Sequence, residues 1–138
     1  MLPPLPKAEL GKRMASADVG LMILANVPTF YNGTSPNKFF DYIAAGLPVL
    51  NNYPGWLADL IRKHQCGLAI EPDNPSAFAD ALSELADNPQ RRAAMGHNAR
   101  RLAEQEFSRD VLGERLADFI EETARLFMNN RKQDSERP

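Results

Sequence analysis

The chain has 138 residues, 43% of them apolar and 25% charged, which suits one compact domain with its own core. Its net charge of −2, with cations interspersed among acids, offers no general attraction for nucleic acid or anionic lipid. A single cysteine, Cys66, excludes an internal disulfide, and two widely separated histidines argue against a structural zinc site, so a reducing cytoplasm is expected.

The opening Met1-Leu2-Pro3-Pro4-Leu5-Pro6 has neither the basic region nor the apolar core of a secretory signal, and reads as an extended lead-in. Lys7 to Ala17 places Leu10, Met14 and Ala17 at helical spacing. Asp18 breaks that helix, and Val19 to Leu24 is an unbroken apolar run of the kind buried on both faces of a parallel sheet. Extended to Ala25 it is still far too short to cross a bilayer, so any membrane contact is expected to be peripheral. Ala25 to Thr34 is a loop rich in Asn, Pro and Gly, with Phe30 and Tyr31 in its middle.

Ser35-Pro36 predicts a helix start, serine as cap and proline at the first helical position; Gly46 closes the helix, and Val49-Leu50 begins a second buried strand. Pro54-Gly55 turns into a helix carrying Leu57, Leu60 and Ile61, with Trp56 read as a packing residue. Gly67 ends that helix, Leu68 to Ile70 makes a third strand, and Pro72-Asp73-Asn74-Pro75 is a turn. Helices follow: Phe78, Ala81, Leu82 and Leu85 line one, Asn88-Pro89 starts another reaching Glu106, and Ser108 caps a last one striped by Leu112, Leu116, Phe119, Ile120, Thr123 and Phe127. Arg91, Arg92, Arg100 and Arg101 read as a solvated basic face. Residues 1–128 are expected to form the domain and 129–138 a polar, disordered tail.

Strand, helix, strand, helix, strand and then helices define an α/β fold: a partial doubly wound, Rossmann-like parallel sheet of about three strands with flanking helices and a helical C-terminus. Ligands of such sheets bind beyond the carboxyl ends of the strands. There the sequence breaks a local rule, because Lys38 falls in the first turn of its helix, where the dipole disfavours a cation by roughly 0.3–1 kcal/mol. A phosphate at that tip would reverse the sign. Asn37, Lys38 and Asp41 share one face, and an ionised Asp41 can accept two hydrogen bonds from a vicinal diol such as a ribose. A solvated lysine and an ordinary Lys38–Asp41 pair explain the same residues without a ligand.

The stretch from Ser35 to Leu50, Ser-Pro-Asn-Lys-Phe-Phe-Asp-Tyr-Ile-Ala-Ala-Gly-Leu-Pro-Val-Leu, resembles the signature of retaining, group 1 glycosyltransferases with the GT-B fold. The flanks match in order: Ala17-Asp18-Val19 before it, Gly67 to Pro72 after it, then Asn88 to Gly96 and Phe107-Ser108. The resemblance implies a donor-binding domain whose loop Thr34, Ser35, Pro36 and Asn37, with Lys38, cradles the diphosphate of a nucleotide-diphosphate sugar, while Asp41 holds the ribose. It implies no cofactor and no obligatory metal. Where the family has a sugar-contacting Glu, this chain has Gly33, beside Asn32. It further implies an acceptor domain and early donor-domain units preceding this segment, which carry the family's diphosphate-neutralising cations. The chain alone is therefore expected to bind donor without catalysing. The Ser-Pro-Asn-Lys variant is most similar to members that assemble bacterial lipopolysaccharide or other surface polysaccharide. A non-catalytic partner subunit, or another α/β module for a phosphate compound, stays open. With no strand before it, residues 19–24 would form a bare edge, expected to pair with a second copy or a swapped segment.

Overall fold

The computed structural model describes residues 4–135, with side chains through Met128, so the tail expected at 129–138 lies largely outside the described residues. The chain divides into two compact units, Met1–Glu104 and Gln105–Pro138. The first carries α1 (Lys7–Met14), β1 (Gly20–Met22), α2 (Thr29–Gly33), α3 (Asn37–Ala44), β2 (Val49–Asn51), α4 (Trp56–His64), β3 (Gly67–Ala69), α5 (Pro75–Asp87) and most of α6 (Pro89–Glu106); the second is dominated by α7 (Arg109–Ser135).

The three strands form one parallel sheet in the order β1-β2-β3, with Gly20 opposite Val49 and Val49 opposite Gly67. Alternation along a strand sends neighbouring side chains to opposite faces. On one face Leu50 joins Ala81, Leu85 and Met95 from α5 and α6, with Val19, Leu68, Ile70 and Phe78 packed around them. The helices α3 and α4, which return the chain to the sheet, bring buried Phe39, Ile43, Leu57, Ala58 and Ile61. Burying a side chain of this size contributes about 1.5–3 kcal/mol, so the sheet is held mainly by these two helix layers.

The strands are shorter than the apolar runs that signal them. At Leu24 the partner of β1 is no longer backbone. The Asn52 side chain accepts from Leu24 N–H at 2.8 Å and donates to Leu24 C=O at 3.0 Å, continuing the ladder with an amide. Gly20 is required where Tyr42 of α3 crosses β1, because a Cβ there would overlap the ring. The outer edge of β1 exposes Leu21 and Ile23.

At the amino ends of the strands α6 passes close to the turn after α3, and a Cβ on Gly96 would meet the Gly46 carbonyl. The arginines read as a solvated face are engaged there. Arg92 donates to the Leu85 carbonyl at 2.7 Å and pairs with Asp18, while Arg100 donates to the Ala44 carbonyl at the end of α3. Cations at helix C-termini oppose the dipole's negative end, which favours both contacts. Arg91 pairs with Glu84, and Arg101 donates to Asn98.

Candidate functional site

Three loops leave the carboxyl ends of the strands, and side chains tie them into one platform. Tyr31, in α2, lies face to face with Tyr53 from the loop after β2, the ring centroids 6.4 Å apart and the planes 7° from parallel. The Tyr31 hydroxyl donates to the Asn26 side chain, whose amide donates to Asp73 in the loop after β3. Tyr53 is buried, and burial pushes its phenol above the ordinary range. Its neighbour Asn51, also buried, donates to the Tyr53 carbonyl at 2.6 Å.

The loop leading into α3 is pinned from below. Gly55 adopts φ 107° and ψ −173°, a conformation open almost only to glycine, and its bare Cα lies against the Tyr31 carbonyl. The next residue, Trp56, donates its indole N–H to the Thr34 carbonyl at 3.0 Å. The Thr34 hydroxyl in turn donates back to the Phe30 carbonyl. Thr34 is therefore held and Pro36 is half-buried, while Ser35, Asn37 and Lys38 are exposed.

The tip of α3 differs from the sequence expectation in one respect. The cap position falls on Pro36, not Ser35, and no side chain caps the helix. A proline at this place fixes the entry angle but supplies no side-chain acceptor; its carbonyl takes the Phe39 N–H at 3.0 Å, which leaves the Asn37 and Lys38 N–H groups for a ligand. The exposed Lys38 stands in the same turn. Both features favour an anion at this point.

Asp41 lies one turn further in, with 28% of its side chain exposed. It pairs with Lys7 of α1 at 3.3 Å instead of with Lys38. Lys7 is 87% exposed, and an ion pair so open to water contributes about 0–1 kcal/mol, so it can be displaced. Lys7, Leu10, Met14 and Asp41 border a small groove between α1 and α3. The adjacent Tyr42 phenol is raised by burial and by the Asp41 carboxylate. Of the six residues singled out from sequence, Thr34 through Lys38 form the loop and first turn that lead into α3, and Asp41 lies further along the helix, beside α1.

Two contributors escaped the sequence reading. Trp56 proves to anchor the site loop through its N–H, and Lys7 reaches Asp41 only because α1 lies along α3; neither contact has a local signal, since both partners are distant in sequence. Gly33, where the resemblance calls for an acid, ends α2 on the surface with nothing within 4 Å of an added Cβ. Phe30 is exposed beside it. Among the described residues no group of three His, Cys, Asp or Glu is placed to hold a metal ion, and no helix is long and apolar enough to cross a membrane.

Fold and platform together define a parallel α/β domain whose strands open, at their carboxyl ends, onto an uncapped helix tip. A family model described as glycosyl transferase-like matches residues 1–121, and the chain belongs to that glycosyltransferase family. A GDP-mannose-dependent monoacylated α-(1-6)-phosphatidylinositol monomannoside mannosyltransferase of Corynebacterium glutamicum is 34% identical over 82 residues, 59% of this chain and 21% of that protein. A D-inositol 3-phosphate glycosyltransferase of Corynebacterium kroppenstedtii is 30% identical over 124 residues, 90% of this chain and 26% of that protein. Spore coat protein SA of Bacillus subtilis is 28% identical over 83 residues, 59% of this chain and 22% of that protein. The chain spans about a fifth to a quarter of the length of these relatives. No solved structure matches.

Proposed function

We propose that this chain is the donor-holding part of a glycosyltransferase and seats a nucleotide-diphosphate sugar at the tip of α3. The observation that carries this reading is the tip itself: a helix start uncapped by any side chain, an exposed Lys38 in its first turn, and a feeding loop fixed by the Trp56–Thr34 bond. In this reading Thr34, Ser35, Pro36, Asn37 and Lys38 surround the diphosphate, and Asp41 exchanges Lys7 for the two ribose hydroxyls. The neutralisation is modest, one lysine and a helix dipole against a dianion. Transfer requires further stabilisation of the departing diphosphate, which commonly is the largest catalytic term. The chain is accordingly a binder that depends on further polypeptide for catalysis. It acts in the cytoplasm, with at most peripheral membrane contact, in assembly of a bacterial lipopolysaccharide or other surface polysaccharide.

Titration calorimetry with GDP, UDP and their sugars tests this. At least one nucleotide diphosphate is expected to bind. Asp41→Ala is expected to weaken it by roughly ten- to a hundredfold, the equivalent of one charge-assisted hydrogen bond. Unchanged affinity in Asp41→Ala removes the ribose assignment, and absence of binding by every nucleotide removes the reading.

Self-association through residues 19–24 belongs to the same proposal. Its platform is small, because β1 is three residues long and short edge strands are a common device against pairing.

A further inference from the structure

Among the described residues other than glycine, Gln65 and Asp73 alone adopt a left-handed backbone, at φ 50° and 55°. That conformation disfavours any residue with a Cβ. At Gln65 it ends α4, and the Gln65 N–H returns to the helix carbonyls. Asp73 has no such duty, because the next helix is capped by its neighbour Asn74, whose side chain takes the Ala77 N–H at 3.0 Å. Glycine would serve this turn at less cost. Asp73 instead brings a carboxylate to the carboxyl end of the sheet, where it accepts from the Asn26 amide. Both partners are exposed, and a hydrogen bond so open to water adds little to stability. Stability therefore does not account for Asp73.

The direction of the bond shows what it orders. An ionised carboxylate only accepts, so Asn26 must turn its NH2 toward Asp73 and its carbonyl oxygen away. That oxygen takes the Tyr31 hydroxyl. Tyr31 is fixed a second time by its ring, stacked on the buried Tyr53, and its carbonyl rests against the bare Cα of Gly55. From Gly55 the chain passes directly to Trp56, whose indole N–H holds the Thr34 carbonyl at 3.0 Å. A carboxylate in the loop after β3 is thus joined, through two side chains and one close backbone contact, to the loop that leads into α3. We propose that Asp73 is a positioning residue for that loop, acting through Asn26 and Tyr31 to hold Thr34 and the tip of α3 in place. Asp73 works from the far end of this relay and needs no contact with a ligand. Its effect on nucleotide affinity rests on the donor seat proposed above; its hold on the loop does not.

Calorimetry with GDP and UDP, urea unfolding, and acrylamide quenching of Trp56, the only tryptophan of the 138-residue chain, test this together. Asp73→Gly removes the carboxylate and relieves the left-handed turn, so its unfolding midpoint is expected to equal or exceed that of the wild type. Its nucleotide affinity is nevertheless expected to fall roughly three- to tenfold, the range of one hydrogen bond, and Trp56 to become more open to acrylamide. Asp73→Asn tolerates the same backbone and keeps an acceptor oxygen for Asn26, so it should retain wild-type affinity and quenching. Tyr31→Phe should repeat the losses of Asp73→Gly in binding and quenching. The two combined should lose no more than either alone, since they break one path. Unchanged affinity or unchanged quenching in Asp73→Gly overturns the proposal. So does a lowered midpoint in that variant, which would make the residue merely structural, or losses that add in the double variant. If the wild type binds neither nucleotide, the donor-seat reading fails and quenching decides alone: a Trp56 opened by Asp73→Gly but not by Asp73→Asn supports the relay, and any other pattern overturns it.

Discussion

Replacing Gly55 with alanine confronts the platform at its tightest point. The residue has φ 107° and ψ −173°, a region that costs other residues about 1–3 kcal/mol. Its new Cβ would also overlap the Tyr31 carbonyl and come within 3.3 Å of Asn32 Oδ1. The carbonyl cannot retreat freely, because Tyr31 is stacked on the buried Tyr53 and its hydroxyl is bound to Asn26. Forcing atoms into a filled space costs about 1–3 kcal/mol more, so the expected loss is about 2–6 kcal/mol. With a urea slope of about 1–3 kcal/mol per molar for a small domain, the unfolding midpoint should fall by about 1–3 M. Trp56 is the only tryptophan, so its fluorescence follows the transition at the affected joint. Gly11→Ala is the control: it lies in α1, meets nothing within 4 Å, and should stabilise by about 0.5–1 kcal/mol. A Gly55→Ala midpoint indistinguishable from wild type would refute the reasoning.

Trp56→Phe removes one hydrogen bond and keeps most of the ring; it should cost about 1 kcal/mol in urea unfolding and weaken nucleotide binding by loosening Thr34. An unchanged affinity would show that the Thr34 loop needs no such anchor. Burial pushes the Cys66 thiol up to about 11 from 9.0, so the folded state resists ionisation that the unfolded chain accepts. The stabilisation of the buried neutral thiol is complete below pH 9 and is lost as pH rises from there to about 11. It amounts to about 3 kcal/mol, visible as an alkaline fall in the urea midpoint that Cys66→Ala lacks. Parallel alkaline falls in both proteins would contradict that assignment. Gly33→Glu places a carboxylate at an open surface position and should alter stability by less than about 0.5 kcal/mol. If a carboxylate there touches the sugar, the variant should gain affinity for the nucleotide sugar relative to the bare nucleotide, measured by calorimetry; a parallel change in both would place Gly33 away from the sugar.

Much of the fold is readable because its signals are local. The apolar runs at 19–24, 49–50 and 68–70 each contain or overlap a strand, and Asn74, Asn88 and Ser108 cap the next helices through their side chains. Proline and glycine mark the turns between. What sequence does not show is where side chains substitute for backbone or reach across it. The run at 19–24 promises a longer strand than Gly20–Met22, because at Leu24 the Asn52 amide takes over from a neighbouring strand. The short helix Thr29–Gly33 hides in a loop whose composition argues only for turns. Ser35 has the chemistry of a cap, yet Pro36 holds that position and no side chain caps α3. Charge is the least legible feature. Arg92 and Arg100 look like surface decoration until α6 is laid against the ends of α5 and α3, and Asp41 shows its partner only when α1 lies beside it. The proposed site segment is visible as a violation, a lysine in a helix's first turn. Its supports, Gly55 and Trp56, are not, since their partners sit more than twenty residues away.

The most direct measurement follows the backbone amides of the isotopically labelled chain by NMR as GDP or UDP is added. Binding at the tip of α3 should move the Asn37 and Lys38 amides most, with smaller changes through Thr34, Ser35 and Asp41, and Asp41→Ala should leave the tip response while reducing its affinity. Saturable shifts that bypass Asn37 and Lys38, or gather at the amino ends of the strands near Arg92 and Arg100, would contradict the placement of the donor.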